Sequence, residues 1–175
     1  LKALQKISDN IRQIIEAYEL PKDTIAQIKR AYNALGKPAI SVRSSSTTED
    51  LRNTSFAGQY DTFLNVSNID DLIQNTKNVW ASLYSPHAIG YSLINKISYT
   101  KAKMAVVIQQ QLTPNAAGVL FTQDPVSGEE HYVVSAALGL GEGVVSGSAQ
   151  TDRFVLDPKT GKVLSSEIAT KEAQV

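Results

Sequence analysis

An arginine followed by a run of hydroxyl side chains is the feature of this sequence best suited to chemistry. Arg43 stands directly after the segment "PAISV" and before five consecutive Ser and Thr residues, 44–48. The planar guanidinium presents five N–H donors in a fork that matches phosphate oxygens, and hydroxyls beside it add neutral donors. The pattern suits a loop that grips a polyphosphate after a short buried strand, which we expect to end at Arg43.

The same residues have a second interpretation, in which they begin a turn of helix. Two pairs have the spacing of a capping box, Ser46–Glu49 and Thr47–Asp50. Arg43 would then only pair with one of these carboxylates. Spacing by itself favours this interpretation over a phosphate site.

A glycine-rich stretch, "ALGLGEGVVSGS" at 137–148, is a second candidate for ligand binding. Gly139, Gly141 and Gly143 allow backbone amides to come close to a ligand. The stretch lacks the Gly-Lys-Ser/Thr of a Walker loop, and Val144 stands where G-x-G-x-x-G would need its last glycine. A hairpin connection explains the same glycines equally well.

A third candidate is the run of glutamines in "VVIQQQLTP". A glutamine at the end of a strand offers both a donor and an acceptor, which suits the edge of a purine. Solvated glutamines at the edge of a sheet are the alternative.

The composition excludes several classes of protein. Acidic and basic residues balance at 17 each, so no net field would attract nucleic acid or an anionic membrane. The absence of cysteine excludes disulfides and thiolate metal sites. No segment approaches the roughly 18 apolar residues of a membrane span, and no signal peptide is visible. We expect a cytoplasmic protein, and because the chain begins with Leu1 we interpret it as a piece of a longer one.

Apolar periodicity divides the chain into a helix-rich front half and a strand-rich back half. In the front half, "IDDLIQNTKNVWASLY" has helical spacing, and Ser85-Pro86 predicts an N-cap and first turn of a helix that runs to about Ile97. From about Lys101, Val-rich segments predict strands, and "DPKTG" predicts a hairpin turn. The expected fold is α+β, with a helix-rich lobe at 1–102, a strand-rich lobe at 103–175, and a ligand cleft at the seam.

Taken in order, three blocks of the sequence resemble one family. They are "SVRSSSTTEDLRNTSFAGQYDTFLNV", "GVLFTQDPVSG" and "LGLGEGVVSGSAQTDRFVL". They are similar to the nucleotide-binding domain of phosphoenolpyruvate synthases and related dikinases. Pyruvate phosphate dikinases usually carry a methionine-containing first block and fit less well. Phosphoenolpyruvate synthases and rifampicin phosphotransferases share the form found here.

The resemblance implies an ATP-grasp fold that holds ATP between two lobes. It implies transfer of the β-phosphoryl group to a histidine on a separate swivelling domain, and from there to pyruvate or an antibiotic, with AMP and phosphate as products. Arg43 would clamp the phosphates and act in catalysis, and Gln109 would lie near the hinge beside the adenine. The nucleotide-site residues that the resemblance implies are Arg43, Gly58, Thr62, Gln109, Gly139, Gly141 and Gly143.

Parts of the family pattern are missing from this sequence. The family's early lysine, and its late Glu and Gln-x-Arg-Pro strand that hold metal and phosphate, have no counterpart, since Glu167 and Glu172 stand in a different context. Neither His87 nor His131 fits the Thr/Ser-His pattern of the phosphohistidine block or the spacing of a metal site. We expect the Mg²⁺ ligands to lie outside this chain.

The resulting hypothesis is a fragment of the ATP-binding domain of a phosphoenolpyruvate synthase-like phosphotransferase. It would work with a swivelling phosphohistidine domain and a pyruvate-binding or antibiotic-binding domain of the same parent, and would be inactive in isolation. The alternatives are the ATP-binding part of a rifampicin-type antibiotic phosphotransferase and a stand-alone nucleotide-binding module without catalysis.

Overall fold

The strand predicted at "PAISV" forms, and it lies in the middle of a three-stranded antiparallel sheet. The computed structural model describes residues 2–47, 50–51, 54–55, 60–98 and 102–170. The chain divides into two units, Leu1–Gln111 and Leu112–Val175. In the described residues, helices and antiparallel sheets occur together, which confirms the predicted α+β class.

The first unit contains most of the helical residues and the sheet that carries Arg43. Its elements are α1 (Lys2–Ala17), α2 (Lys22–Ala34), β1 (Ile40–Ser46), β2 (Asp50–Leu51), β3 (Thr54–Ser55), β4 (Thr62–Val66), α3 (Ile69–Ser82), α4 (Pro86–Ile94) and β5 (Met104–Gln110). The strand order is β4-β1-β5, and β2 pairs separately with β3.

The helices cover one face of this sheet, where the apolar residues of β1 join the core, and Ser41 between them is buried as well. Ile40 and Val42 are fully buried, whereas Arg43 is exposed. α3 contacts all three strands of the sheet. The buried cluster consists of Tyr32, Ile40, Val42, Val66, Leu72 and Val79.

Capping residues fix the helix that follows the core. The hydroxyl of Ser85 accepts a hydrogen bond from the Ala88 amide at 3.1 Å, and Pro86 occupies the first turn. This arrangement confirms the predicted N-cap. The helix ends at Ile94 rather than near Ile97.

The second unit is a four-stranded antiparallel meander with one short helix in its described residues. Its elements are β6 (Ala116–Phe121), β7 (Tyr132–Leu138), α5 (Glu142–Val145), β8 (Asp152–Leu156) and β9 (Val163–Glu167), and the strand order is β6-β7-β8-β9. The predicted hairpin turn joins β8 to β9, with the Gly161 amide donating to the Asp157 carbonyl at 2.8 Å. Hydrogen bonds, chiefly from the Thr160 hydroxyl and amide, lower the pKa of Asp157.

Two further boundaries differ from the expectations. The division between the units lies after Gln111 rather than after residue 102, because β5 pairs with β1 along its whole length. For the same reason β1 does not end at Arg43 but continues to Ser46, opposite Met104. Within the described residues, no helix has the length and apolar character to cross a membrane.

Candidate functional site

The face of the β4-β1-β5 sheet opposite the hydrophobic core brings three of the expected site residues together. Arg43 lies directly opposite Thr62 of β4 and opposite Val107 of β5. Side chains that are directly opposite in an antiparallel pair share a face, and so do residues two apart on one strand. Gln109 is two residues from Val107. Arg43, Thr62 and Gln109 therefore share one face, which we call the open face.

The guanidinium of Arg43 has a neutral partner on this face. Its Nη1 donates to Oε1 of Gln109 at 3.4 Å. Among the side chains that the structure describes, no carboxylate forms an ion pair with Arg43. The exposed cation therefore has a neutral amide as its described partner, and this amide does not cancel its charge.

The capping-box interpretation does not fit the strand that follows Arg43. The Thr47 amide donates to the Lys103 carbonyl at 3.0 Å, and the Thr47 hydroxyl accepts from the Lys103 amide at 3.1 Å. Asp50 belongs to β2 rather than to a helical turn. The amide and hydroxyl of Thr47, which a helix cap would need, are thus used in pairing with Lys103. The capping-box interpretation is therefore wrong for the pair Thr47–Asp50. Glu49 and Gly58 lie outside the described residues.

A bulge in β4 resets the alternation of that strand. Ser41 of β1 lies opposite two β4 residues, 64 and 65. Asn65 has a φ of 58°, in the left-handed region. Phe63 and Val66 are three residues apart, yet both pack in the core, which strict alternation would not allow. Beyond an asparagine, which tolerates positive φ better than most residues, no recognisable pattern in the sequence indicates this bulge.

The glycine-rich stretch forms an ordered turn in the second unit. Gly139 has a φ of 86°, and its amide donates to the Asn115 carbonyl at 3.0 Å. Gly141 immediately precedes α5, and Gly143 is buried within it. The Gly143 amide donates to the Leu140 carbonyl at 3.3 Å. Internal hydrogen bonds thus already use part of the amides that a phosphate loop would present, and the nucleotide role of these glycines stays a prediction.

The family of this domain follows from comparison with known proteins. The family model for the AMP/ATP-binding domain of pyruvate phosphate dikinase matches residues 1–175. The chain belongs to this family. The resemblance carried by the three sequence blocks is confirmed, and so is the assignment to an AMP/ATP-binding domain.

Curated relatives of this AMP/ATP-binding domain have two kinds of name. A probable phosphoenolpyruvate synthase of Methanothermobacter thermautotrophicus is 41% identical over 176 residues, covering 97% of this chain and 26% of the relative. One of Methanocaldococcus jannaschii is 40% identical, covering 97% of this chain and 15% of the relative. A rifampicin phosphotransferase of Bacillus subtilis is 36% identical, covering 97% of this chain and 20% of the relative. The chain spans about a quarter of these relatives or less.

A second arginine of the AMP/ATP-binding domain, in contrast to Arg43, is bound to a carboxylate. Nη2 of Arg153 donates to Oδ2 of Asp124 at 3.0 Å. The amides of Val126 and Ser127 donate to the other oxygen at 2.8 and 3.2 Å. The hydrogen bonds from these two backbone amides, and to a smaller extent the guanidinium of Arg153, lower the pKa of Asp124. Asp124 therefore holds the turn after β6, and Arg153 is anchored to that turn.

Proposed function

We propose that the open face binds the phosphates of ATP and that Arg43 is the residue that clamps them. The observation that supports this is the exposed guanidinium whose described partner is the neutral amide of Gln109. A carboxylate partner would cancel the charge that an anionic ligand requires. The amide restrains the orientation of the guanidinium and leaves the charge available, which suits bidentate binding of phosphate oxygens.

The residues of the open face fit phosphate better than they fit a metal ion. They supply a cation, a hydroxyl and an amide from Arg43, Thr62 and Gln109. Mg²⁺ prefers carboxylate and phosphate oxygens in octahedral geometry. We therefore assign the Mg²⁺ ligands to residues outside this chain, where the ion would neutralise charge on the bound triphosphate.

For the parent protein we propose the activity of a phosphoenolpyruvate synthase. ATP, pyruvate and water would give phosphoenolpyruvate, AMP and phosphate through a phosphohistidine on a swivelling domain of the same parent. We further propose an ATP-grasp fold in a cytoplasmic protein, with nucleotide-binding roles for Gly58, Gly139, Gly141 and Gly143. The names of the relatives from the two methanogens support this assignment. The 175-residue chain would form no AMP by itself, since it lacks the acceptor histidine.

A rifampicin-type antibiotic phosphotransferase is the second candidate, favoured by the relative from Bacillus subtilis. The two candidates differ in the final acceptor and share the ATP site. Incubating the full-length parent with ATP and either pyruvate or rifampicin, and measuring the phosphorylated product, separates them. A parent that binds ATP and phosphorylates neither acceptor would favour a nucleotide-binding module without catalysis.

Substitution of Arg43 tests the phosphate site in either kind of parent. We expect Arg43→Ala to reduce ATP-dependent AMP formation by orders of magnitude, because a charge-assisted hydrogen bond contributes about 1.5–3 kcal/mol and more in a water-excluded site. Arg43→Lys should restore only part of the rate, since the fork is lost.

The matched control is Arg30→Ala, which removes an exposed arginine of α2 from the same unit. This control should leave the rate and the ATP affinity unchanged. A near-normal rate in Arg43→Ala would overturn the proposal that Arg43 clamps the phosphates.

A further inference from the structure

We propose that Gln111 is a positioning residue for the nucleotide site, acting on Thr62 through the bulge in β4. The proposal rests on the ATP site assigned above to the open face. Gln111 is the last residue of the first unit, and its neighbours Gln109 and Gln110 belong to β5. Its carboxamide forms hydrogen bonds with Asn65 of β4, which, in the described part of the chain, the carboxamides of Gln109 and Gln110 do not.

The carboxamide of Gln111 forms two short hydrogen bonds with one residue. Its Oε1 accepts from the Asn65 amide at 2.6 Å, and its Nε2 donates to Oδ1 of Asn65 at 2.7 Å. The Gln111 amide also donates to the Ala39 carbonyl at 2.9 Å. Gln111 is thereby fixed through its backbone to the residue just before β1 and through its side chain to β4. We call the pair of side-chain hydrogen bonds the amide clasp.

The clasp holds the residue on which the bulge depends. Asn65 has the positive φ that lets two β4 residues oppose the single residue Ser41. A bulged residue lacks its partner in the ladder, so its amide needs another acceptor. Oε1 of Gln111 is that acceptor. The Gln111 side chain thus stabilises the bulge in β4, which the hydrogen bonds between β1 and β4 do not stabilise by themselves.

The bulge decides on which face Thr62 lies. Val66 is anchored in the core, and Phe63 packs against the same core. If β4 alternated strictly from Val66, Thr62 would face the core and Phe63 would face outward. With the bulge, Thr62 lies opposite Arg43 on the open face. Gln111 therefore acts at a distance on a residue that we place beside the phosphates.

The test uses the full-length parent and MgATP titration calorimetry, with thermal unfolding measured on the same variants. Gln111→Met removes both bonds of the clasp at similar volume. We expect it to weaken ATP binding about threefold to tenfold, the range for lost hydrogen bonds at a partly exposed pair. Gln111→Glu should stay near wild type, because rotation of the Asn65 carboxamide lets it donate to the carboxylate. Gln110→Met and Gln110→Glu are matched controls on the neighbouring exposed residue.

A double-mutant cycle with Thr62→Ala separates positioning from a general loss of stability. We expect Thr62→Ala to weaken ATP binding in the wild-type background and to have little further effect in Gln111→Met, because Thr62 is already misplaced there. Additive effects, or a lower melting temperature with unchanged ATP affinity in Gln111→Met, would overturn the inference. Unchanged ATP affinity in Arg43→Ala, measured in the same series, would instead refute the phosphate site itself.

Discussion

Gly118 lies so close to the neighbouring strand that its substitution gives a sharp prediction for the second unit. Gly118 in β6 is paired with Ala136 in β7. A Cβ at position 118 would lie 2.7 Å from the carbonyl oxygen of Ser135, and 3.2 Å from both Cα and Cβ of Ala136. The nearest atom belongs to the backbone of the adjacent strand, which cannot rotate away. Gly118→Ala therefore forces the two strands to move apart.

The expected cost follows from two opposing effects. Overpacking a fitted position destabilises a protein by roughly 1–3 kcal/mol. Replacing glycine by alanine restricts the unfolded chain, which offsets about 0.4–1 kcal/mol of that loss. We expect Gly118→Ala to lower the free energy of opening of the β6-β7 pair by about 1–2 kcal/mol.

Hydrogen exchange measured by mass spectrometry reads this change locally. Peptides from β6 and β7 should exchange about 5–30 times faster in Gly118→Ala, the factor that corresponds to 1–2 kcal/mol. Peptides from β1 and β5 are the internal reference. Gly90→Ala is the matched control, because its added Cβ would meet no atom within 4 Å.

The control substitution Gly90→Ala should change the exchange rate in the opposite direction. Alanine is favoured over glycine inside a helix by about 0.5–1 kcal/mol, so Gly90→Ala should slow exchange in α4. Unchanged or slower exchange of the β6 and β7 peptides in Gly118→Ala would refute the reasoning, since it would mean that the strands accommodate a methyl group without cost.

Two further predictions concern the carboxylate of Asp124 and the cap of α4. Because the folded state lowers the pKa of Asp124 below its usual 3.8, this carboxylate stabilises the fold above that value and the stabilisation is lost as the pH falls through the lower folded pKa. Asp124→Asn should therefore reduce stability at neutral pH and flatten the acid-unfolding curve, and an unaltered curve would contradict this. Ser85→Ala removes the cap of α4 and should cost about 1 kcal/mol. Urea unfolding followed by the fluorescence of Trp80, the single tryptophan, measures that loss, and an unchanged midpoint would show that the cap contributes nothing.

Local patterns predicted most of the elements, because each depends on neighbours in the chain. The Ser85-Pro86 cap and the Asp157–Gly161 turn form through contacts within a few residues, so their sequence signals are sufficient. Alternating and helical periodicities likewise predicted the α+β class. The family could also be recognised from three sequence blocks in order, and the family model matches the whole chain.

Contacts between distant residues were decided by the tertiary structure. The contact of Arg43 with Gln109 joins residues 66 positions apart, and no local pattern specifies which strand lies beside which. The resemblance implies that Gln109 lies near the adenine, which stays a prediction, and only the tertiary structure shows that its side chain contacts Arg43. Pairing with Lys103, again far along the chain, likewise excluded the helical turn predicted at Thr47.

The amide clasp shows the same division between sequence and structure most clearly. The residue types of Asn65 and Gln111 are visible in the sequence, and asparagine is compatible with positive φ. Their pairing is not visible, because it requires β4 and β5 to lie on either side of β1. The sequence thus determined which strands and helices could form and to which family the chain belongs. Only tertiary structure decided which side chains share the open face, because the face of a residue depends on register and bulges that distant strands impose.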